Sequence, residues 1–471
     1  MILTKANLNI ILNDIRFWII LFGILRLYGI TNPPLEVAHN WRQTTVCMAA
    51  RNFYEADLNI FYPRIDIAGE KSGITGMEFP IFNYLIYVFS LVFGYDHWYG
   101  RLINLLISSI GILFFYKLLL KYFEKNVAFN ASIILLASFW FAYSRKIMPD
   151  TFASSLIIIS LYYGTNYLEG KKSILNLLLY FVFGLFGVLS KLPVVYIWIL
   201  YSIWIFGGGN YIRKLIFIGV SSVIAGITYY WYYIWVPYLV DEFGFWHFFM
   251  GKNFNQGFNE SIKYLPEILN HFYETAIRYV GFSMLLFGLI ISIIKKDKII
   301  WITFLISLLS FSLIIFKSGK TFAFHSYYVL PFIPIMALVA SYGISKIKNS
   351  TLVKVLLFAI CIEGILNQWN DFVIKPNERE IIRLESSLDS ISNKDDLIVI
   401  NSGEYPTPMY FAHRKGWVCD NSKLLDKKYI SDLKNNGCKY IVILKKSFGS
   451  DTRLNYNILI DNEYYKVYDL K

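Results

Sequence analysis

Charge is scarce in this chain. Asp, Glu, Lys and Arg make up 17% of its 471 residues, where soluble domains carry roughly 25%. That deficit, against 56% hydrophobic residues, excludes an ordinary soluble globule. Cysteine is also scarce: Cys47, Cys361, Cys419 and Cys438 are the four, and with no Cys-x-x-Cys spacing no structural zinc site is readable. The N-terminal apolar run has no small-residue cleavage site behind it, so a retained first helix is expected rather than a signal peptide. Internal repeats and low-complexity segments are missing too. What is abundant is aromatic: 36 Tyr, 39 Phe and 12 Trp, as interfacial belts require. The formal charge of +12 does not point to nucleic acid, because the Lys and Arg cluster in short loops between apolar runs.

A membrane span needs about 20 apolar residues. Candidates lie near 12–30, 102–120, 127–144, 150–168, 174–190, 193–207, 214–236, 276–294, 299–316, 327–345 and 351–368, about eleven in all by that criterion. The shorter apolar run 80–94 either crosses or lies in the interface. The positive-inside rule decides for the interface. On that reading Lys117, Lys121, Lys125, Lys171, Lys172, Arg213, Lys214, Lys295, Lys296, Lys298, Lys346 and Lys348 all fall inside. The expected fold is an all-α polytopic plasma-membrane protein with interfacial helices and a small C-terminal α/β domain. Residues 1–370 form the transmembrane domain, with a first external loop at 31–101. Residues 371–471 form an extracytoplasmic domain, and the N-terminus is cytoplasmic.

In that last segment Leu397–Ile400 and Tyr440–Leu444 are apolar runs of strand length. Residues 427–436 have helical character and stop at Gly437. Cys419 and Cys438 both lie in this external domain, where a disulfide can persist; a bridge between them is one expectation and two free buried thiols the other.

Charges at membrane depth are costly, so exceptions mark function. Arg145, Lys146, Lys191, Lys317 and Lys320 sit at helix ends on the outer side, against the general bias. Each alone reads equally as a snorkelling anchor; together they point to an anion site such as a lipid phosphate. The first loop holds Glu36, Asp66 and Glu78 beside His39 and Arg42. It ends in Met77-Glu78-Phe79-Pro80, which brings a carboxylate to the membrane boundary, where a partly desolvated acid serves as general base. Asp150 follows Pro149 at a helix start, where capping alone also explains an acid. A third cluster, His325 with Tyr327 and Tyr328, opens a later span. The six His all fall at or beyond the outer edge, which their avoidance of apolar surroundings also explains.

These motifs, in this order, resemble a GT-C fold glycosyltransferase of the protein mannosyltransferase and aminoarabinose transferase type. The likeness rests on Ala50–Tyr54 followed by Tyr62-Pro63, on Glu78–Pro80, and on Phe93-Gly94 before Gly100-Arg101-Leu102. It continues with Arg145, Met148, Pro149 and Asp150, and with His325, Tyr327, Tyr328 and Pro331. His39-x-Trp41-Arg42-Gln43 and Tyr410–Trp417 resemble a bacterial and archaeal subgroup.

The resemblance implies a polyprenyl-phosphate-linked sugar donor and a lipid, glycan or protein acceptor at the outer face, among membrane lipids and without nucleic acid. It implies catalytic acids among Glu36, Asp66, Glu78 and Asp150, and substrate binding by His39, Arg42, Arg145, Lys146, Lys191, His325 and Tyr328. A divalent metal ion on Glu78 with His247, His271 or His325 is left open. One departure stands out. Where related transferases carry an Asp-Glu pair ahead of the Ala-Arg step, this chain has Arg42-Gln43, and Glu36 is the first substitute. The competing readings are a transporter or flippase for lipid-linked sugars, or a glycan polymerase or ligase. The missing repeat counts against the transporter.

Overall fold

The structure, a computed structural model, describes residues 10–171, 173–244 and 251–470. Among these, five helices are long and apolar enough to cross a membrane: Tyr99–Leu119, Tyr211–Phe243, Lys298–Ser318, Ser326–Ser345 and Ser350–Phe372. A sixth is reached if Leu265–Ala276 and Arg278–Ile294, bent by 100°, count as one span. The chain is thus a multi-pass, mostly helical membrane protein with a small sheet.

Several expected spans are interrupted for visible reasons. The run 127–144 breaks at Ser138, whose extended backbone and side-chain cap on the Trp140 amide start a new helix. The run 193–207 is a tight 3₁₀ helix, Leu192–Tyr201, continued by Ser202–Ile205. Helix Ile81–Phe93, the ambiguous run, has 13 residues, about 20 Å at 1.5 Å per residue, short of the roughly 30 Å hydrocarbon core.

The chain divides into two compact units. The first holds Met1–Ile30, Arg101–Trp231 and Phe249–Trp369; the second holds Thr31–Gly100, Tyr232–Phe248 and Asn370–Lys471. In the first unit helix Ile333–Ser345 is buried almost throughout. It meets helix Arg278–Ile294 backbone to backbone: a Cβ on Gly288 would stand 2.1 Å from the Val339 carbonyl oxygen. Small residues at such crossings are how membrane helices approach closely.

The second unit is built on a five-stranded sheet of order β2-β1-β3-β5-β4, with β1 Leu397–Ile400, β2 Gly416–Val418, β3 Cys438–Leu444, β4 Asn457–Asp461 and β5 Tyr465–Asp469. β1, β2 and β3 run parallel; β5 is antiparallel to both β3 and β4. Helix Lys427–Asn435 precedes β3 and stops before Gly437 at φ +85°, the left-handed residue that ends helices. The outer edge of β2 is covered by the early loop, through Gly69 N to Gly416 O at 2.7 Å and Gly416 N to Asp66 O at 3.0 Å. Helix Asn40–Glu55 packs on Ile81–Phe93, with the Asn83 amide donating to the Val46 carbonyl at 2.9 Å.

The expected Cys419–Cys438 bridge is absent. Both are free, buried thiols in one apolar core. The sheet order explains this: β1 lies between them, with Cys438 beside Leu397 at its start and Cys419 hydrogen-bonded to Ile400 at its end. Two strand spacings exceed the Cα separation a disulfide spans.

Candidate active site

In the first unit the turn before helix Pro149–Leu168 is buried although it carries Ser144, Arg145, Lys146 and Asp150, all at most 4% exposed. Arg145 Nη1 and Nη2 donate to the carbonyls of Tyr28 and Gly29 at 2.5 and 3.2 Å. Lys191 Nζ lies 3.5 Å from Asp150 Oδ1 and 5.6 Å from the centre of the Tyr327 ring. Asp150 lies in the first turn of its helix, so a cation and a helix N-terminus both face it. His325 Nδ1 donates to the Thr321 carbonyl at 2.9 Å, and Tyr328 packs against its ring. The same unit contains a residue the sequence reading passed over. Asn104, fully buried, places its amide nitrogen within 3.2 Å of the carbonyls of Tyr143, Lys146 and Met148 and accepts from Thr151. An amide inside an apolar span was the available signal.

In the second unit Arg42 and Glu78 form an ion pair, both nearly buried. Asp66 is fully engaged, bonded by Arg51 at 2.8 Å and by Asn52 at 2.8 Å. Arg51 also lies over the Tyr410 ring and donates to the Tyr410 carbonyl. Burial opposes the Arg51 charge, but the Asp66 carboxylate outweighs it and raises its pKa. Glu36 is completely buried. His39 adopts the left-handed region at φ 59° and its carbonyl accepts from Arg42 and Gln43 at the head of helix Asn40–Glu55. The structure therefore ties Arg42 to Glu78 and Lys191 to Asp150.

A further cluster in this unit was not foreseen. His413, itself left-handed at φ 47°, bridges Glu385 through Nδ1 at 2.6 Å and Glu55 through Nε2 at 2.8 Å. Burial pulls the imidazole pKa down, but the two carboxylates more than reverse it. The His413 bond in turn holds Glu385 at about 2.

Of the residues expected to hold a metal, His247 lies outside the described residues. Among the described residues no group of three or more His, Cys, Asp and Glu is placed to hold an ion.

The family model of dolichyl-phosphate-mannose-protein mannosyltransferases matches residues 78–235. No curated protein matches by sequence. Among solved structures, ArnT from Cupriavidus metallidurans bound to undecaprenyl phosphate superposes with TM-score 0.65 at 11% identity, covering 96% of this chain and 98% of that one. The chain shares the fold of that structure. The Archaeoglobus fulgidus oligosaccharyltransferase is also similar, with TM-score 0.56 at 11% identity over 90% of this chain and 69% of that one. So is the AglB structure from the same organism, with an inhibitory peptide and a dolichol-phosphate, at TM-score 0.56 and 10% identity over 91% and 69% of the two chains. The family-model match takes in Glu78, Arg145, Lys146, Asp150 and Lys191; it leaves out Glu36, His39, Arg42, Asp66, His325 and Tyr328.

Proposed function

We propose that the protein is a membrane glycosyltransferase that takes a monosaccharide from a polyprenyl-phosphate carrier and transfers it to a hydroxyl of a lipid, glycan or protein at the extracytoplasmic face. The observation that carries this reading is the burial of Arg145, Lys146 and Asp150 in an apolar unit, with the Lys191 ammonium 3.5 Å from Asp150. Charges at membrane depth mark function, and several cations beside one helix start suit a phosphate. ArnT in its matched structure binds a polyprenyl phosphate, which supports the same class of carrier here.

Transfer makes a bond from the acceptor oxygen to the anomeric carbon and breaks the bond from that carbon to the phosphate oxygen. The phosphate leaves with the electron pair, and Arg145, Lys146 and Lys191 stabilise its charge. The hydroxyl proton goes to a carboxylate. Glu36, Asp66, Glu78 and Asp150 are the candidates for it; Asp66 is bonded by Arg51 and Asn52 and Glu78 is paired with Arg42.

The loop and the tail belong to one compact unit, which supports placing both on the same, extracytoplasmic side, with the N-terminus inside and about eleven crossings by length of the apolar runs. Single-cysteine variants at Ser72 and Ser390 should label from that one side of intact membranes. Labelling from opposite sides would remove the topology. For the activity, purified protein is incubated with radiolabelled polyprenyl-phosphate sugars and membrane extract. Label is expected to move into a carrier-free product. Movement of intact lipid-linked sugar between leaflets without transfer would establish the flippase reading instead.

A further inference from the structure

We propose a second phosphate-binding site, for the headgroup of an anionic phospholipid, at the opposite end of helix Tyr99–Leu119 from the catalytic turn. A cleft of about 820 Å³ opens there in the first unit, lined by Asp14, Arg16, Tyr116, Lys117 and Lys125 together with aliphatic side chains. Asn104, which holds the catalytic turn, and Lys117 are 13 residues apart on this helix, about 20 Å along its axis. The site is therefore separate from the cations assigned to the carrier, and its test does not depend on the transferase reading.

The charge balance favours an anion. Asp14 is spent on Arg16: its Oδ2 lies 2.5 Å from Nη2, Oδ1 lies 3.0 Å from Nε, and Oδ1 also caps the Arg16 amide at 2.9 Å. That pair leaves Lys117 and Lys125 as the cleft's net positive charge. An independent observation agrees. Lys125 is the first residue of helix Lys125–Ala137, and the preceding Glu124, exposed, makes no side-chain cap. A lysine at a helix start opposes the helix dipole, and the first amides of a helix lack partners within it. Both features are relieved by an oxyanion, which helix starts bind readily.

Lipid is favoured over soluble phosphate by what adjoins the cleft. Helix Tyr99–Leu119 is a membrane span. Leu106 and Ile110 on it, and Ile20 and Ile24 on helix Ile15–Leu27, are exposed, so both helices bordering the cleft continue into surface suited to acyl chains. Basic pockets between membrane helices bind acidic headgroups by this arrangement.

The test titrates the full-length protein in detergent with phosphatidylglycerol, phosphatidylcholine of the same chains, and inorganic phosphate, reading bound lipid by native mass spectrometry and melting temperature in parallel. Saturable binding of phosphatidylglycerol is expected, tighter than phosphatidylcholine by on the order of tenfold. The double change Lys117→Gln with Lys125→Gln should remove most of that preference; Lys348→Gln should not. The single Lys117→Gln gives a smaller loss of the same kind and serves if the double variant does not fold. Equal binding of the two lipids, or undiminished preference in the lysine variants, would overturn the proposal. Inorganic phosphate competing as well as the lipid would replace it with a site for a soluble phosphate.

Discussion

The side-chain amide of Asn104 lies 2.9 Å from the carbonyl oxygen of Lys146, and the same nitrogen reaches the carbonyls on either side of it in the turn. One buried side chain thus fixes the backbone that presents Arg145 and Lys146. Asn104→Leu keeps the volume and removes the donors. It leaves buried carbonyls unsatisfied, at about 1–3 kcal/mol, and loosens the turn, so transfer should fall by on the order of 10²-fold. Binding of polyprenyl phosphate, measured directly, should weaken as well. Parental transfer in Asn104→Leu would show that the turn holds itself.

Arg42 and Glu78 make a second test, because the pair is nearly buried. Removing one partner of a buried pair leaves an uncompensated charge and costs about 3–5 kcal/mol. Glu78→Gln and Arg42→Gln should each lower the melting temperature, and the double change should recover part of it. Activity separates the partners: if Glu78 is the base, the double variant refolds without transfer. Glu36 is completely buried, and loss of transfer in Glu36→Gln alone would assign the base to Glu36.

The His413 bridge gives the second unit a defined pH window. Its pKa is raised above the ordinary 6.5, so its contribution is complete below about 6.5 and is lost as pH rises through the higher folded value. Glu385, lowered from 4.5 to about 2, contributes fully above about 4.5 and loses this as pH falls toward 2. The two together favour the unit between about pH 4.5 and 6.5. Thermal melts of the full chain should show His413→Gln losing the decline above pH 6.5 that the parent shows. An unchanged pH profile would mean the bridge contributes nothing.

What the sequence revealed and what it hid follow from range. The strands Leu397–Ile400 and 440–444 and the helix stopping at Gly437 were legible because apolar period and a left-handed glycine are local signals. Arg145, Lys146 and Asp150 stood out for a similar reason, as charges beside apolar runs. The partners were not legible. Arg42 with Glu78, 36 residues apart, and His413 with Glu55, 358 apart, are matters of tertiary packing. The Cys419–Cys438 expectation failed for the same reason, since compartment and number cannot tell that a strand lies between two thiols. Spans were over-regular in the sequence reading because hydropathy does not register a capping serine such as Ser138 or a 3₁₀ stretch such as Leu192–Tyr201.

Lys191 and Asp150 separate the phosphate role from an anchoring one. Their charged atoms are 3.5 Å apart, with side chains 12% and 4% exposed. If Lys191 only neutralises Asp150, then Lys191→Met with Asp150→Asn should restore both stability and transfer, because a buried pair replaced by neutral groups is often tolerated. If Lys191 also holds the leaving phosphate, the double variant should regain stability and remain slow, by roughly 10²–10³-fold in turnover. Arg145→Ala should behave like that double variant in turnover. It removes the donors to the Tyr28 and Gly29 carbonyls, so Arg145→Lys, which keeps the charge but not the planar fork, should recover part of the rate. The two effects are read from single-turnover transfer and from melting in the same detergent. A double variant that transfers at the parental rate would return Lys191 to a purely structural role and leave Arg145 and Lys146 to hold the phosphate.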